Sequence, residues 1–167
     1  MQKNSIKEMF DLAFKHYQNG KLEQAEILFK KILKINPKQF ETIFYLGVLL
    51  AQTKNFDEAI NYYKKAIQIN PSSAESHNNL GNAFQDLGKH QEAISSYQSA
   101  IQINPNFVGS YFNLGEIFQD LGEYHTALPL YQKVIQKDSK YVPAYNNLGM
   151  VFDKLNKHQE AIKCFQT

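Results

Sequence analysis

Long hydrophobic runs are missing from this sequence. Of its 167 residues 43% are hydrophobic, yet the longest apolar stretch is the handful from Leu46 to Ala51. A membrane-spanning helix needs about 20 consecutive apolar residues, so none is predicted. No apolar stretch follows the opening Met1-Gln2-Lys3-Asn4-Ser5, so no secretory leader is predicted either. Cysteine is nearly absent, and Cys164, standing alone, cannot form an intrachain disulfide. The triplet Asn70-Pro71-Ser72 is blocked as a glycosylation acceptor by its proline. These absences point to a reduced, cytoplasmic setting. An excess of one charge is lacking too: 18 basic and 16 acidic residues give +2, far from the basic surplus of a nucleic-acid binder.

Motifs of chemistry are equally scarce. His16, His77, His90, His125 and His158 are scattered, with no His-x-x-x-His or Cys/His spacing for zinc. His90 and His158 fall where Leu22, Phe56 and Tyr124 stand in other repeats, which predicts packing roles. Cys164 beside Phe165 reads as a small hydrophobe rather than a nucleophile. No glycine-rich phosphate loop or nucleophile elbow occurs, so no cofactor, no metal and no catalysis are expected.

What is present is a period. Pro37, Pro71 and Pro105 are 34 residues apart, as are Gly47, Gly81, Gly115 and Gly149. Ala25, Ala59, Ala93, Ala127 and Ala161 keep the same step. Counting from Ile6, the units span 6–39, 40–73, 74–107, 108–141 and an incomplete 142–167. Inside the third, His77, Leu80, Phe84 and Leu87 form one helical stripe, and Ala93, Tyr97, Ala100 and Ile101 form another. Gly88-Lys89 separates them, and Asn104-Pro105 ends the second. Ser5 and Glu8 fit a capping box at the start of the first helix. Pro129 is tolerable if its helix starts late. The small residues let paired helices approach closely, so bulk at Ala93 or Ala127 should overpack the crossing. An all-α solenoid of antiparallel helix pairs is predicted, each pair completing its core against the next.

The unit running from Ala74 through Asn79-Leu80-Gly81, Gly88, Ala93, Tyr97 and Ala100 to Pro105 resembles the tetratricopeptide repeat. The resemblance covers the chain from Ile6 onward, with Ala13, Ile32, Val134 and Ser139 as mild departures. It implies a right-handed superhelix whose first helices line a concave peptide-binding groove. The runs Asn78-Asn79-Leu80-Gly81 and Asn146-Asn147-Leu148-Gly149 resemble the repeats that precede the catalytic domain of O-linked N-acetylglucosamine transferase. The resemblance implies that the ladder Asn79, Asn113 and Asn147 holds a client backbone.

At about 100° per residue, the face opposite the core stripe holds Asn78, Asn79, Asn82, Asn113, Asn146 and Asn147. A carboxamide both donates and accepts, and so can pair with an extended backbone of any sequence. Asparagine is abundant elsewhere too, at Asn61, Asn106 and Asn156, so compositional bias competes with that explanation. Alanine at Asn79, Asn113 and Asn147 is expected to leave the fold nearly intact, these being exposed helix positions. The same face is acidic, with Asp11, Glu41, Glu75, Asp86, Glu116, Asp120 and Asp153 against Lys7 and Lys154. In the first two units it carries Phe10, Phe14, Tyr17, Phe44 and Tyr45, either a docking patch or covered packing.

The expected partner is therefore a protein or peptide, a neutral to basic extended segment. The lysine and arginine clamp by which family members hold acidic chaperone C-termini has no match at Glu75, Asn79, Gly109, Asn113, Pro143 or Asn147. Neither nucleic acid nor membrane is expected as a partner. The last unit stops inside its second helix, which suggests continuation of the array, or self-association through its uncapped C-terminal end. The alternative function is a client-recruiting region of a larger enzyme such as a glycosyltransferase, with its catalytic part outside this chain.

Overall fold

The computed structural model describes residues 2–166, which form ten α-helices and no strand. The first pair is α1 (Gln2–Gln18) and α2 (Leu22–Ile35), and the second is α3 (Phe40–Gln52) and α4 (Phe56–Ile69). Then come α5 (Ala74–Asp86) with α6 (His90–Ile103), α7 (Val108–Asp120) with α8 (Tyr124–Lys137), and α9 (Val142–Lys154) with α10 (His158–Phe165). The partners in a pair pack together, and each second helix also lies against the first helix of the following pair. From α3 onward successive first helices touch as well, whereas successive second helices make no comparable contact. Bringing only one set together curves the stack. First helices line the inside of this α-solenoid and second helices its outside.

The turns explain why the chain breaks where the sequence says. After α5 the backbone turns left-handed at Gly88 (φ 70°). Gly88 N–H then donates to the Gln85 carbonyl (2.8 Å) and Lys89 N–H to that of Phe84 (2.9 Å), satisfying the open end of the helix. Lys54 (φ 62°) and Asn156 (φ 58°) adopt the same conformation without glycine's freedom. Between units the side chains of Asn70, Asn104 and Asp138 each accept the N–H two residues on, at 3.2, 3.0 and 3.0 Å. These Asx turns fix the exit from each second helix.

The core is built on one recurring small-to-large contact. A Cβ placed on Gly47, Gly81 or Gly115 would lie 2.9, 2.5 or 2.8 Å from the ring of Tyr63, Tyr97 or Tyr131. The glycines are thus slots for rings reaching across from the second helix. Gly149 meets Phe165 in the same way. Ala25, Ala59, Ala93 and Ala127 are fully buried, as the close crossing of paired helices requires.

Two local expectations are corrected. Helix α1 runs through Ser5, having begun at Gln2, so Ser5 is no cap; nothing in Gln2-Lys3-Asn4 halts the helix before it. Helix α8 starts at Tyr124, in step with α4 and α6, so Pro129 lies inside a helix of ordinary length. Pro129 and His125 are both exposed, and the carbonyl left without a helical donor faces water.

Candidate functional site

The tyrosines that fill the glycine slots reach through to the concave face. Tyr97 is buried, yet its hydroxyl reaches two acceptors for its one proton, Gln85 Oε1 (2.7 Å) and Asn82 Oδ1 (2.8 Å) on α5. Tyr131 donates to Gln119 Oε1 (2.9 Å) on α7. Burial holds both phenols protonated well above the ordinary tyrosine range. A periodic hydroxyl at a stripe position was the available sequence signal for this polar floor, and Gln85 and Gln119 belong to it.

The asparagines divide into committed and open ones. Asn113 Nδ2 donates to Asn82 Oδ1 (2.8 Å) across the seam from α7 to α5, and its amide also hydrogen-bonds the Tyr97 oxygen. Asn147 Nδ2 donates to Tyr131 Oη (3.2 Å), joining α9 to the preceding pair. Asn78 is buried at the α5–α7 seam, where its Oδ1 accepts from Ser110 Oγ (2.9 Å), so its carboxamide is used within the chain. Among the described residues Asn79 has one long contact (3.5 Å, from Asn78), and Asn146 has none. Asn82 spends its oxygen on Tyr97 and Asn113 and keeps its amide N–H groups open. The expectation that alanine is harmless at all three ladder positions is therefore corrected. At Asn113 and Asn147 it would remove bonds between units.

At the other end of the face the rings form a continuous plate. Phe14 meets Tyr45 edge-on at 4.9 Å, and Phe44 meets Tyr45 at 5.3 Å. Phe10 lies 6.2 Å from Phe14 and 5.8 Å from the buried Phe29. Phe10, Phe14, Phe44 and Tyr45 are half-buried, so the plate packs inward and shows one side. Among the carboxylates Glu116 is half-buried. Burial raises its pKa and nearby Asp120 raises it further, while a hydrogen bond from Asn147 works against them.

Among the described residues no group of three or more His, Cys, Asp or Glu side chains converges as metal ligands. Among the described residues no helix is long and apolar enough to cross a membrane. His158 is exposed, with Nδ1 2.9 Å from Asp153 Oδ1, so its expected packing role is corrected. As the first residue of α10 it has its carboxylate partner on the preceding helix. His90 is half-buried with Nδ1 unpartnered among the described residues, in keeping with packing. Cys164 is half-buried and burial pushes its thiol pKa up, which disfavours the reactive thiolate.

Comparison with known proteins agrees with this architecture. Residues 10–39, 74–107, 96–128 and 142–167 match family profiles described as tetratricopeptide repeat, and residues 49–88 match one described as TPR repeat. No curated protein matches the chain by sequence. A crystal structure of MamA protein is 28% identical with a TM-score of 0.87, the match covering 98% of this chain and 90% of that one. PilF of Pseudomonas aeruginosa is 19% identical with a TM-score of 0.88, over 98% of this chain and 75% of that one. YrrB, described as a TPR protein with an unusual peptide-binding site, is 19% identical with a TM-score of 0.77, over 95% and 81%. The last two establish likeness of fold alone. Helix pairs stepping every 34 residues, glycine slots filled by rings and matches spread along the chain lead to one assignment: this chain belongs to the tetratricopeptide repeat family.

Proposed function

We propose that this protein-interaction scaffold holds an extended, neutral to basic peptide segment of a partner along its concave face. The observation that supports this most is the set of open amide groups on Asn79, Asn82 and Asn146, which stand where a backbone laid along the first helices would need partners. YrrB, which shares the fold, is described as having an unusual peptide-binding site, so the fold is compatible with this use. The acidic residues on this face repel phosphate backbones and acidic termini and favour cationic side chains. On this reading the scaffold acts by holding a partner.

Panning the immobilised chain against displayed random dodecapeptides tests this. Peptides should be retained, and Asn79→Ala should weaken them about fivefold with an unchanged melting midpoint, the share of one lost hydrogen bond. No retained peptide, or equal affinity for the variant, would overturn the reading. A second use, client recruitment for a glycosyltransferase, draws on the ladder Asn79, Asn113 and Asn147; glycosyl transfer by the full reading frame would be its test. Self-association draws on Ile162 and Phe165, 49% and 54% exposed on α10, and sedimentation of Ile162→Lys against the parent chain tests it.

A further inference from the structure

Between α3 and α5 the concave face holds a cleft of about 300 Å³ lined by Phe40, Glu41, Phe44, Tyr45, Ser73 and Glu75. Phe40 and Phe44, one turn apart on α3, hold their rings 6.1 Å apart and within 19° of parallel. Tyr45 stands edge-on to Phe44, at 82°. All three rings are half-buried, while Glu41 and Glu75 are exposed. Among the described residues neither carboxylate has an ion-pair partner. The polar contact at this pair is a long one, Ser73 Oγ to Glu75 at 3.5 Å. No basic side chain lines the cleft. In the adjoining cleft toward α1 Glu41 is shared with Asp11 and Lys7, so one lysine faces three carboxylates across the two.

The chemistry of the cleft narrows its occupant. An apolar side chain covering the rings would strip water from two carboxylates and give nothing back. An acidic one would be repelled. A guanidinium suits both surfaces at once, since its flat face stacks on an aromatic ring while N–H groups at its edge point to carboxylate oxygens. An ammonium group is a compact, strongly hydrated charge and serves the acids without stacking. We propose that this cleft is an arginine subsite, taking one arginine side chain of the peptide that the concave face binds. The inference rests on the peptide-binding reading above and adds an anchor and a direction to it. The arginine lies toward α3 and the neutral backbone toward α9.

Glu41 and Glu75 also sit in the first turns of their helices, where they favour the helix dipole, so melting is measured beside binding. The probes are the dodecapeptides retained in panning and, for the strongest arginine-containing one, versions with citrulline or lysine at that arginine. Arginine should be enriched among retained peptides. Citrulline should weaken binding about tenfold and lysine less, the sum of an exposed ion pair and a cation–π contact. The double variant Glu41→Gln/Glu75→Gln should lose about the same factor for the arginine peptide, nothing for the citrulline one, and little in melting midpoint. Retained peptides without arginine enrichment, or a double variant that loses equally for arginine and citrulline peptides, would overturn the subsite and leave the groove reading standing. Failure to retain any peptide would overturn both.

Discussion

The two ends of the concave face use the same scaffold positions for opposite chemistry. Toward the N-terminal units, Phe10, Phe14, Phe44 and Tyr45 occupy places that Asn78, Asn82, Asn113, Asn146 and Asn147 share in later units. The rings contact one another and bury part of their surface, while the asparagines bond across seams and keep groups open. Beneath both, a small residue meets a ring: Gly47 lies against Tyr63 at one end as Gly81 and Gly115 lie against Tyr97 and Tyr131 further on. The repeat thus constrains the inter-helix contact and leaves the inner surface free to vary. A face can be apolar at one end and polar at the other without altering the fold.

That comparison breaks first if the slots are not equivalent in kind. Gly81→Ala should destabilise by about 1–3 kcal/mol in chemical denaturation, because its Cβ would lie 2.5 Å from the Tyr97 ring, which has no room to withdraw. Gly47→Ala, at 2.9 Å from Tyr63, should cost less. A neutral Gly81→Ala would mean that the ring moves freely and the slot is no constraint.

The asparagine end can be sharpened next. Asn113→Ala and Asn147→Ala should each lower stability by about 1 kcal/mol through their lost seam bonds, and Asn79→Ala should not. Equal thermal midpoints for all three would show the seam bonds to be idle. A loop outside both ends gives a control of similar size and opposite sign. Lys54→Gly should raise stability by about 1 kcal/mol by relieving a left-handed backbone, visible as a higher melting midpoint.

The smallest expected effect is a pH dependence. Glu116 has its pKa raised in the folded chain, so it favours folding when protonated, and that contribution is lost as pH rises through its folded value. Glu116→Gln should remove this loss and gain less than about 1 kcal/mol at neutral pH, the group being half in solvent and screened. Identical pH profiles for the two proteins would show that the carboxyl is fully solvated.

The fold was legible because period, small residues and turn residues all repeat in register, and packing between helices depends on those alone. The inner surface was legible only as a face. A helical wheel places Asn78 and Asn79 side by side, but Ser110, 32 residues on, decides that Asn78 is spent within the chain. Tyr97 looked like core because its ring is core; its hydroxyl emerges because Gly81 lets the ring through. His158 was misplaced because its partner Asp153 lies on another helix. Capping at Ser5 failed because cap chemistry counts only where the backbone turns, and there it does not.

Contact between neighbouring pairs has a kinetic consequence. The asparagine bonds across seams join residues between 16 and 35 apart, and extensive helix contacts reach no further than the adjacent pair. Closing such short loops costs little entropy, so the search for native contacts does not lengthen as the array does. Folding can nucleate at any pair and spread in both directions, with α3 to α8, where a buried tyrosine fills a glycine slot in every pair, the natural starting block.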